Sequence, residues 1–235
     1  MDFLFAALLL LAATATMFAS GHFAKRCASK RHSNESIGYQ LCYQPMLVAV
    51  ALMVLIVLYL FYPETVVYFW RLGNIERPLA PVVWLGITGE EGWFQIALII
   101  TASTVTFVWW QGRQNGVEWR HLWGYAPWIA LFSLTNAFSE EVIFRLGVIV
   151  PLFSHTESET IMLFSAVAFG IVHYRGIPNG VTGVVMAGVL GWLLTKSILE
   201  TEGLFWAFGI HFVQDLVVIS AWILFQNSNN WTTKA

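Results

Sequence analysis

The sequence contains few charged residues. Lys, Arg, Asp and Glu together make up only 11% of its 235 residues, whereas about 25% of the residues of a soluble domain are charged. Because a soluble globule of this length needs a charged surface, the composition excludes an ordinary water-soluble domain. Apolar residues make up 57% of the chain, so we expect its outer surface to face lipid.

Cysteine and net positive charge are also scarce. The two cysteines, Cys27 and Cys42, have no paired Cys or His at metal-ligand spacing, which predicts two unpaired thiols near helix ends and no disulfide framework. A net charge of −2 gives no electrostatic footprint for nucleic acid, so we expect no nucleic-acid partner.

Long apolar runs are abundant instead. A helix needs about 20 mostly apolar residues to cross the hydrocarbon core of a membrane. Seven segments approach or exceed this length, namely 3–19, 46–62, 93–110, 126–152, 159–174, 181–199 and 203–225. They predict an all-α fold, a polytopic transmembrane helical bundle of about seven spans that forms one integral membrane domain over residues 1–235. The shorter apolar run 79–87 fits a re-entrant or an interfacial segment, so an eighth membrane segment stays open.

Lys and Arg residues are distributed unevenly among the predicted loops. The largest group lies in the loop 20–45 and comprises Lys25, Arg26, Lys30 and Arg31. If this loop is cytoplasmic, eight of the twelve Lys and Arg residues face the cytoplasm, three face the other side, and Arg145 lies inside a span. The positive-inside rule therefore predicts a multi-pass protein of the cell membrane, with its N-terminus outside and its C-terminus in the cytoplasm.

Ionisable residues interrupt the fourth predicted span, although a charge at mid-membrane costs about 2.5–3.5 kcal/mol on insertion scales. Glu141 and Arg145 are four positions apart, so they share a helix face and can pair. Glu140 points to another side of the helix, where its carboxylate needs support from a different helix. An ion pair that only locks helix packing explains Glu141 and Arg145 better than it explains Glu140.

Histidines mark two further spans. The fifth span ends at His173, and the seventh contains His211 and Asp215 four positions apart on one face. Taken singly, the first fits a structural helix-end residue and the second a local hydrogen-bonded pair. Because lipid cannot solvate ionisable groups, we expect all of them to face a shared interior together with Glu140. A carboxylate with two imidazoles can activate a water and also has the composition of a metal shell.

The polar segments occur in a fixed order, which is Glu140-Glu141-x-x-x-Arg145, Phe169-x-x-x-His173 and His211-x-x-x-Asp215. This ordered triple resembles the CPBP family, the CAAX-protease and bacteriocin-processing proteins, which are also called the Abi family. These proteins are related to type II CAAX prenyl endopeptidases. The resemblance covers roughly residues 125–225, the protease-like core, and adds little for the first three spans.

The resemblance implies peptide-bond hydrolysis within the membrane. By the family pattern, Glu140 is the general base that activates water, while His173 and His211 orient that water or stabilise the oxyanion. The supporting residues are then Glu141, Arg145, Asp215 and Phe169. The family leaves the cofactor open between no metal and a metal such as Zn²⁺, for which Glu140, His173 and His211 would be the ligands.

This chain departs from the family at the end of the last motif, which often carries Asn where Asp215 stands here. An Asn amide can donate a hydrogen bond to an oxyanion, but an ionised Asp cannot. We therefore expect Asp215 to orient His211 or to bind a metal.

Span counting places the three catalytic candidates at different depths. Glu140 lies near mid-membrane, His211 lies nearer the outer side, and His173 lies near the cytoplasmic end. A shared site then requires either a fifth span that extends past Tyr174 or helices that are broken or tilted.

The expected function is an intramembrane endopeptidase that cleaves a membrane-associated protein or peptide precursor, with membrane lipid as its surroundings. Two alternatives stay open. One is a non-catalytic membrane scaffold or immunity protein of the same fold. The other is a proton-coupled transporter, which would predict inverted repeats and paired broken helices that the sequence does not show.

Overall fold

The computed structural model describes residues 1–28, 35–83, 86–114, 116–175 and 180–232. Its helices are α1 (Asp2–Ala28), α2 (Glu35–Phe61), α3 (Pro63–Phe69), α4 (Trp93–Gln114), α5 (Leu122–Glu140), α6 (Gly147–Leu152), α7 (Ser158–Val172), α8 (Gly180–Thr201) and α9 (Phe205–Thr232). Within these ranges the only β pairing is an isolated bridge between Val82 and Ile87. The predicted all-α fold is therefore confirmed.

Five helices, α1, α2, α4, α8 and α9, are long and apolar enough to cross a membrane. Many large apolar side chains on the outside of the bundle are exposed, as a lipid-facing surface requires. The chain thus has multiple apolar membrane-spanning helices. The predicted fourth span consists of α5, a π-helical turn and α6, and the predicted fifth span is the 15-residue α7. The count of about seven spans therefore stays a prediction.

The fourth predicted span changes its helical form at the residues that carry its charges. Glu141–Leu146 form a π-helical turn between α5 and α6, and all six of its side chains are buried. A π-helical turn bonds residue i to residue i+5 and frequently marks a functional site. The wider turn accommodates Glu141 and Arg145 inside the bundle, directly after the buried Glu140.

Helices α7 and α8 form a closely packed antiparallel hairpin. A Cβ atom on Gly170 would lie 2.7 Å from the carbonyl oxygen of Val184, so this position requires glycine for the two backbones to meet. On the facing helix, a Cβ atom on Gly191 would lie 3.1 Å from the Phe169 ring. These small residues bring α7 and α8 together, as expected for helices packed in a membrane.

The connection between α3 and α4 covers one end of the bundle. Asn74 N donates to Thr201 O at 2.7 Å, and the Arg71 side chain pairs with Glu202 at 2.7 Å, so the connection lies against the turn between α8 and α9. In the apolar run 79–87, the described residues form no membrane-crossing helix; Trp84 and Leu85 lie outside the described residues. The described residues of this run therefore form no eighth span, and its re-entrant or interfacial position stays a prediction.

Cys27 and Cys42 form a disulfide between α1 and α2, so the prediction of two unpaired thiols was wrong. The two helices are antiparallel neighbours, and Cys27 in the last turn of α1 faces Cys42, which lies about two turns into α2. Their Cα atoms are consequently only 6.5 Å apart. Sequence spacing alone does not show this pairing, because it depends on how the helices face each other. Lys30, Arg31 and His32 of this connection lie outside the described residues.

Candidate functional site

Three helical segments bring Glu140, His173 and His211 together inside the bundle. His211 Nε2 lies 3.4 Å from Glu140 Oε2, and His173 Nε2 lies 4.0 Å from the same oxygen. Glu140 ends α5, His173 follows α7 directly, and His211 lies in the second turn of α9. The structure therefore places one carboxylate oxygen opposite two imidazole nitrogens from different helices.

The helix ends explain how residues at different predicted depths meet. Helix α7 has only 15 residues, which gives a length of about 22 Å at 1.5 Å per residue. This is shorter than the hydrocarbon core of about 30 Å, so His173 lies nearer to mid-depth than it would at the end of a full-length span. The π-helical turn after Glu140 interrupts the facing helix at the same place. Two arrangements were expected to bring the three residues together, a longer fifth span or broken or tilted helices. The structure shows helices whose regular α-helical form is interrupted.

Glu141 connects its own helix to α9. Its Oε1 atom lies 2.6 Å from His211 Nδ1, the shortest contact of the cluster, and 3.3 Å from Arg145 Nη2. The predicted pairing of Glu141 with Arg145 is confirmed. Because an ionised carboxylate only accepts hydrogen bonds, His211 Nδ1 donates to Glu141, and Nε2 is the nitrogen that faces Glu140.

Asp215 does not orient His211 through a hydrogen bond, contrary to the sequence-based expectation. Its Oδ2 atom lies 3.8 Å from His211 Nε2 and instead accepts a hydrogen bond from Asn136 Nδ2 at 3.1 Å. Glu141, from another helix, holds the imidazole. No role was predicted for Asn136, and the available signal was its position four residues before Glu140 on the same helix.

Phe169 contacts three members of the cluster. The guanidinium carbon of Arg145 lies 4.0 Å from the centroid of the Phe169 ring, which is a cation–π distance. The same ring lies 4.3 Å from the His173 ring and 5.6 Å from the His211 ring. The Phe169 carbonyl oxygen accepts from His173 Nδ1 at 2.8 Å, so His173 also presents Nε2 to Glu140.

The cluster is deeply buried except at His173. Arg145 is 0% exposed and Glu141 is 2% exposed, whereas 28% of the His173 side chain is accessible. Within the described residues, Glu140 Oε2, Glu141 Oε2 and the three guanidinium nitrogens of Arg145 have no hydrogen-bond partner. An unsatisfied buried polar group costs about 1–3 kcal/mol, so stability alone does not account for this arrangement.

In the described part of the chain, no group of three or more His, Cys, Asp or Glu side chains is arranged to hold a metal ion. The Nδ1 atoms of His173 and His211 are each bound to a protein acceptor. Metal-ligating histidines commonly bind a protein acceptor through the other ring nitrogen in this way, so Zn²⁺ bound by Glu140, His173 and His211 stays a prediction.

Comparison with protein families matches residues 122–217 to the family described as type II CAAX prenyl endopeptidase Rce1-like. The matched segment begins at the first residue of α5 and ends within α9, so it contains every member of the cluster. Comparison with curated proteins and with solved structures gave no match.

We expect Arg145→Ala to lower both the folded yield in the membrane and the activity per folded molecule. The substitution leaves the buried Glu141 carboxylate without its cation and removes the contact with Phe169. Breaking a buried ion pair on one side costs about 3–5 kcal/mol. Size-exclusion chromatography of the solubilised protein measures the folded yield.

Arg120→Ala is the control for Arg145→Ala, because the Arg120 side chain is 76% exposed where it pairs with Glu118. It should leave the yield unchanged, since exposed ion pairs contribute about 0–1 kcal/mol. An Arg145→Ala protein with normal yield and normal turnover would refute the structural role of the pair.

Proposed function

We propose that this chain, whose residues 122–217 belong to the Rce1-like type II CAAX prenyl endopeptidase family (CPBP/Abi), is an intramembrane endopeptidase. The observation that carries the proposal is the position of Glu140 Oε2, which faces the Nε2 atoms of His173 and His211. The oxygen is buried and has no hydrogen-bond partner among the described residues, so it is available to a water molecule. Family and geometry thus support the same reaction, peptide-bond hydrolysis.

Glu140 acts as the general base in this proposal. Its carboxylate takes one proton from a water whose oxygen attacks the carbonyl carbon of the scissile peptide bond. The carbonyl oxygen becomes an oxyanion, and the proton held by Glu140 is then delivered to the leaving nitrogen as the C–N bond breaks. The products are a new carboxyl group and a new amine, so no oxidant, reductant or further reactant is needed.

The two imidazoles position the reacting atoms. His211 is fixed by Glu141 at Nδ1, and His173 is fixed by the carbonyl oxygen of Phe169. Both rings therefore present Nε2 to the place where the water contacts Glu140. A protonated Nε2 donates a hydrogen bond to the oxyanion, and such donors contribute most when they are held in place before the reaction.

The proposed substrate is a protein or peptide precursor that lies in or at the membrane. The family implies a protein substrate, and the cluster lies among helices that are apolar enough to span the membrane. A substrate segment embedded in or bound to the bilayer reaches such a site more readily than a freely soluble protein does. A scaffold or immunity protein and a transporter are the functions that remain if cleavage fails.

We also propose that α5–α6 and α7 complete a single seven-span domain over residues 1–235, with its protease-like core at about 125–225. Asp2 precedes the first span, Tyr62 follows the second and His155 follows the fourth, so in a seven-span chain all three lie at the same end of the bundle. Their contacts support this arrangement, because Tyr62 donates to Asp2 at 2.9 Å and His155 lies 3.9 Å from Asp2. The charge distribution favours placing this end outside and the C-terminus in the cytoplasm.

The Cys27–Cys42 disulfide lies at the opposite end, and disulfides are rare in a reducing cytoplasm. The distribution of Lys and Arg and the position of the disulfide thus favour opposite orientations of the chain in the membrane.

Reporter fusions distinguish these orientations. We expect a reporter placed after Arg31 to be cytoplasmic and one placed after Ser158 to be external, because an odd number of spans separates the two positions. Both reporters on the same side would exclude the seven-span arrangement. An exchange of the two sides would keep the spans and reverse the orientation, in agreement with the disulfide.

Glu140→Gln tests the proposed chemistry, because it keeps the shape of the side chain and removes the base. We expect it to fold normally and to lose cleavage by at least about 100-fold. Comparing the membrane proteomes of cells with the wild type and with Glu140→Gln identifies the substrate. The purified proteins are then assayed on a membrane-anchored peptide that contains the cleavage site, with Glu118→Gln, a substitution at an exposed carboxylate, as the control.

His173→Ala and His211→Ala test whether the site acts as one unit. Each is expected to be nearly inactive, and the double variant should be little worse than either, because residues that act together show strongly non-additive effects. Substantial proteolysis by Glu140→Gln would remove the central proposal and leave the scaffold or transporter alternatives.

A further inference from the structure

Asn136 is a polar side chain in contact with the cluster that the mechanism above does not use. It lies on α5 four positions before Glu140, so both residues share a helix face. Asn136 Nδ2 donates to Asp215 Oδ2 at 3.1 Å. In the ranges that the structure describes, no second donor reaches the Asp215 carboxylate, which is 9% exposed. The position of this carboxylate therefore depends on Asn136.

Asp215 and Glu140 face the same nitrogen of His211. Nε2 lies 3.4 Å from Glu140 Oε2 and 3.8 Å from Asp215 Oδ2. Hydrogen bonds from nitrogen to oxygen are about 2.7–3.2 Å long, so a movement of Asp215 by about 1 Å would give it a direct bond to Nε2. Such a charge-assisted bond would be stronger than the bond from the neutral amide of Asn136.

The oxygen that would make this bond is the one that Asn136 already holds. Asp215 Oδ2 is both the acceptor for Asn136 and the oxygen nearest to His211 Nε2. The amide of Asn136 therefore acts on the atom that competes with Glu140. If that oxygen moved to Nε2, the imidazole would no longer face the attacking water.

We propose that Asn136 is a positioning residue that holds the Asp215 carboxylate away from His211 Nε2 and thereby keeps this nitrogen available to Glu140 and the attacking water. This inference rests on the proposed proteolytic function. Asn136 acts through Asp215 and contacts neither the scissile bond nor the base. The charge that must be restrained belongs to Asp215, so neutralising Asp215 should remove the need for Asn136.

The test uses Asn136→Leu in the protein reconstituted in lipid vesicles, because leucine has the same branched shape as asparagine and no hydrogen-bond donor. The assay follows a membrane-anchored peptide whose cleavage requires Glu140. We expect kcat to fall by about 10- to 100-fold with KM nearly unchanged, because the lost hydrogen bond serves the chemical step and not substrate binding. Rates are normalised to folded protein, and Asn136→Ala replaces Asn136→Leu if the leucine variant does not fold.

Rescue by a second substitution separates positioning from a structural role. Asn136→Leu combined with Asp215→Asn should reach the kcat of Asp215→Asn alone, because a neutral amide competes only weakly for Nε2 and no longer needs Asn136 to restrain it. Thr135→Val is the matched control on α5, since Thr135 bonds to Gln44 at 2.8 Å and does not contact Asp215. It should leave kcat unchanged.

The outcomes that overturn the inference are specific. Asn136→Leu with normal kcat, a double variant as slow as Asn136→Leu alone, or an inactive Asp215→Asn would each exclude it. The wild type and Glu140→Gln are assayed in parallel. Loss of their difference would overturn the proteolytic function itself, whereas a preserved difference without rescue would overturn only the role of Asn136.

Discussion

The carboxylate of Glu141 lies between Arg145 of its own helix and His211 of α9, and the rest of the site depends on this contact. Lipid cannot solvate these groups, so they face one another inside the bundle. The 2.6 Å hydrogen bond to His211 Nδ1 joins the π-helical turn to α9 and leaves Nε2 as the nitrogen that faces Glu140. One buried interaction thus sets both the packing of two helices and the orientation of an imidazole.

Irregular helix geometry makes this interaction possible. The π-helical turn accommodates Glu141 and Arg145 in the interior, while the short α7 ends where His173 can face Glu140. Buried oxygen and nitrogen atoms without hydrogen-bond partners in the described residues indicate that the cluster is not arranged for stability alone. The α3–α4 connection covers the end at which α8 turns into α9, and His173 is the partly accessible member of the cluster.

Much of this arrangement could be predicted because charge is so costly in lipid. Because few charges are present and those inside the spans must face one another, the all-α membrane fold, the ionisable residues that meet inside it and the pairing of Glu141 with Arg145 could be predicted. The second role of Glu141 was missed, because spacing along one helix does not show which helix lies opposite. For the same reason the sequence assigned His211 to Asp215, its neighbour on α9, and gave no role to Asn136. The Cys27–Cys42 disulfide was missed because it depends on how α1 faces α2.

A double-mutant cycle between Glu141 and His211 tests most directly whether this contact organises the structure. The free energy of unfolding is measured in lipid bicelles for the wild type, Glu141→Ala, His211→Ala and the double variant. If the two side chains are coupled through the buried hydrogen bond, the double variant should lose at least about 1.5 kcal/mol less than the sum of the single losses. Losses that add to within about 0.5 kcal/mol would show that the two residues act independently and would contradict the central role of their contact.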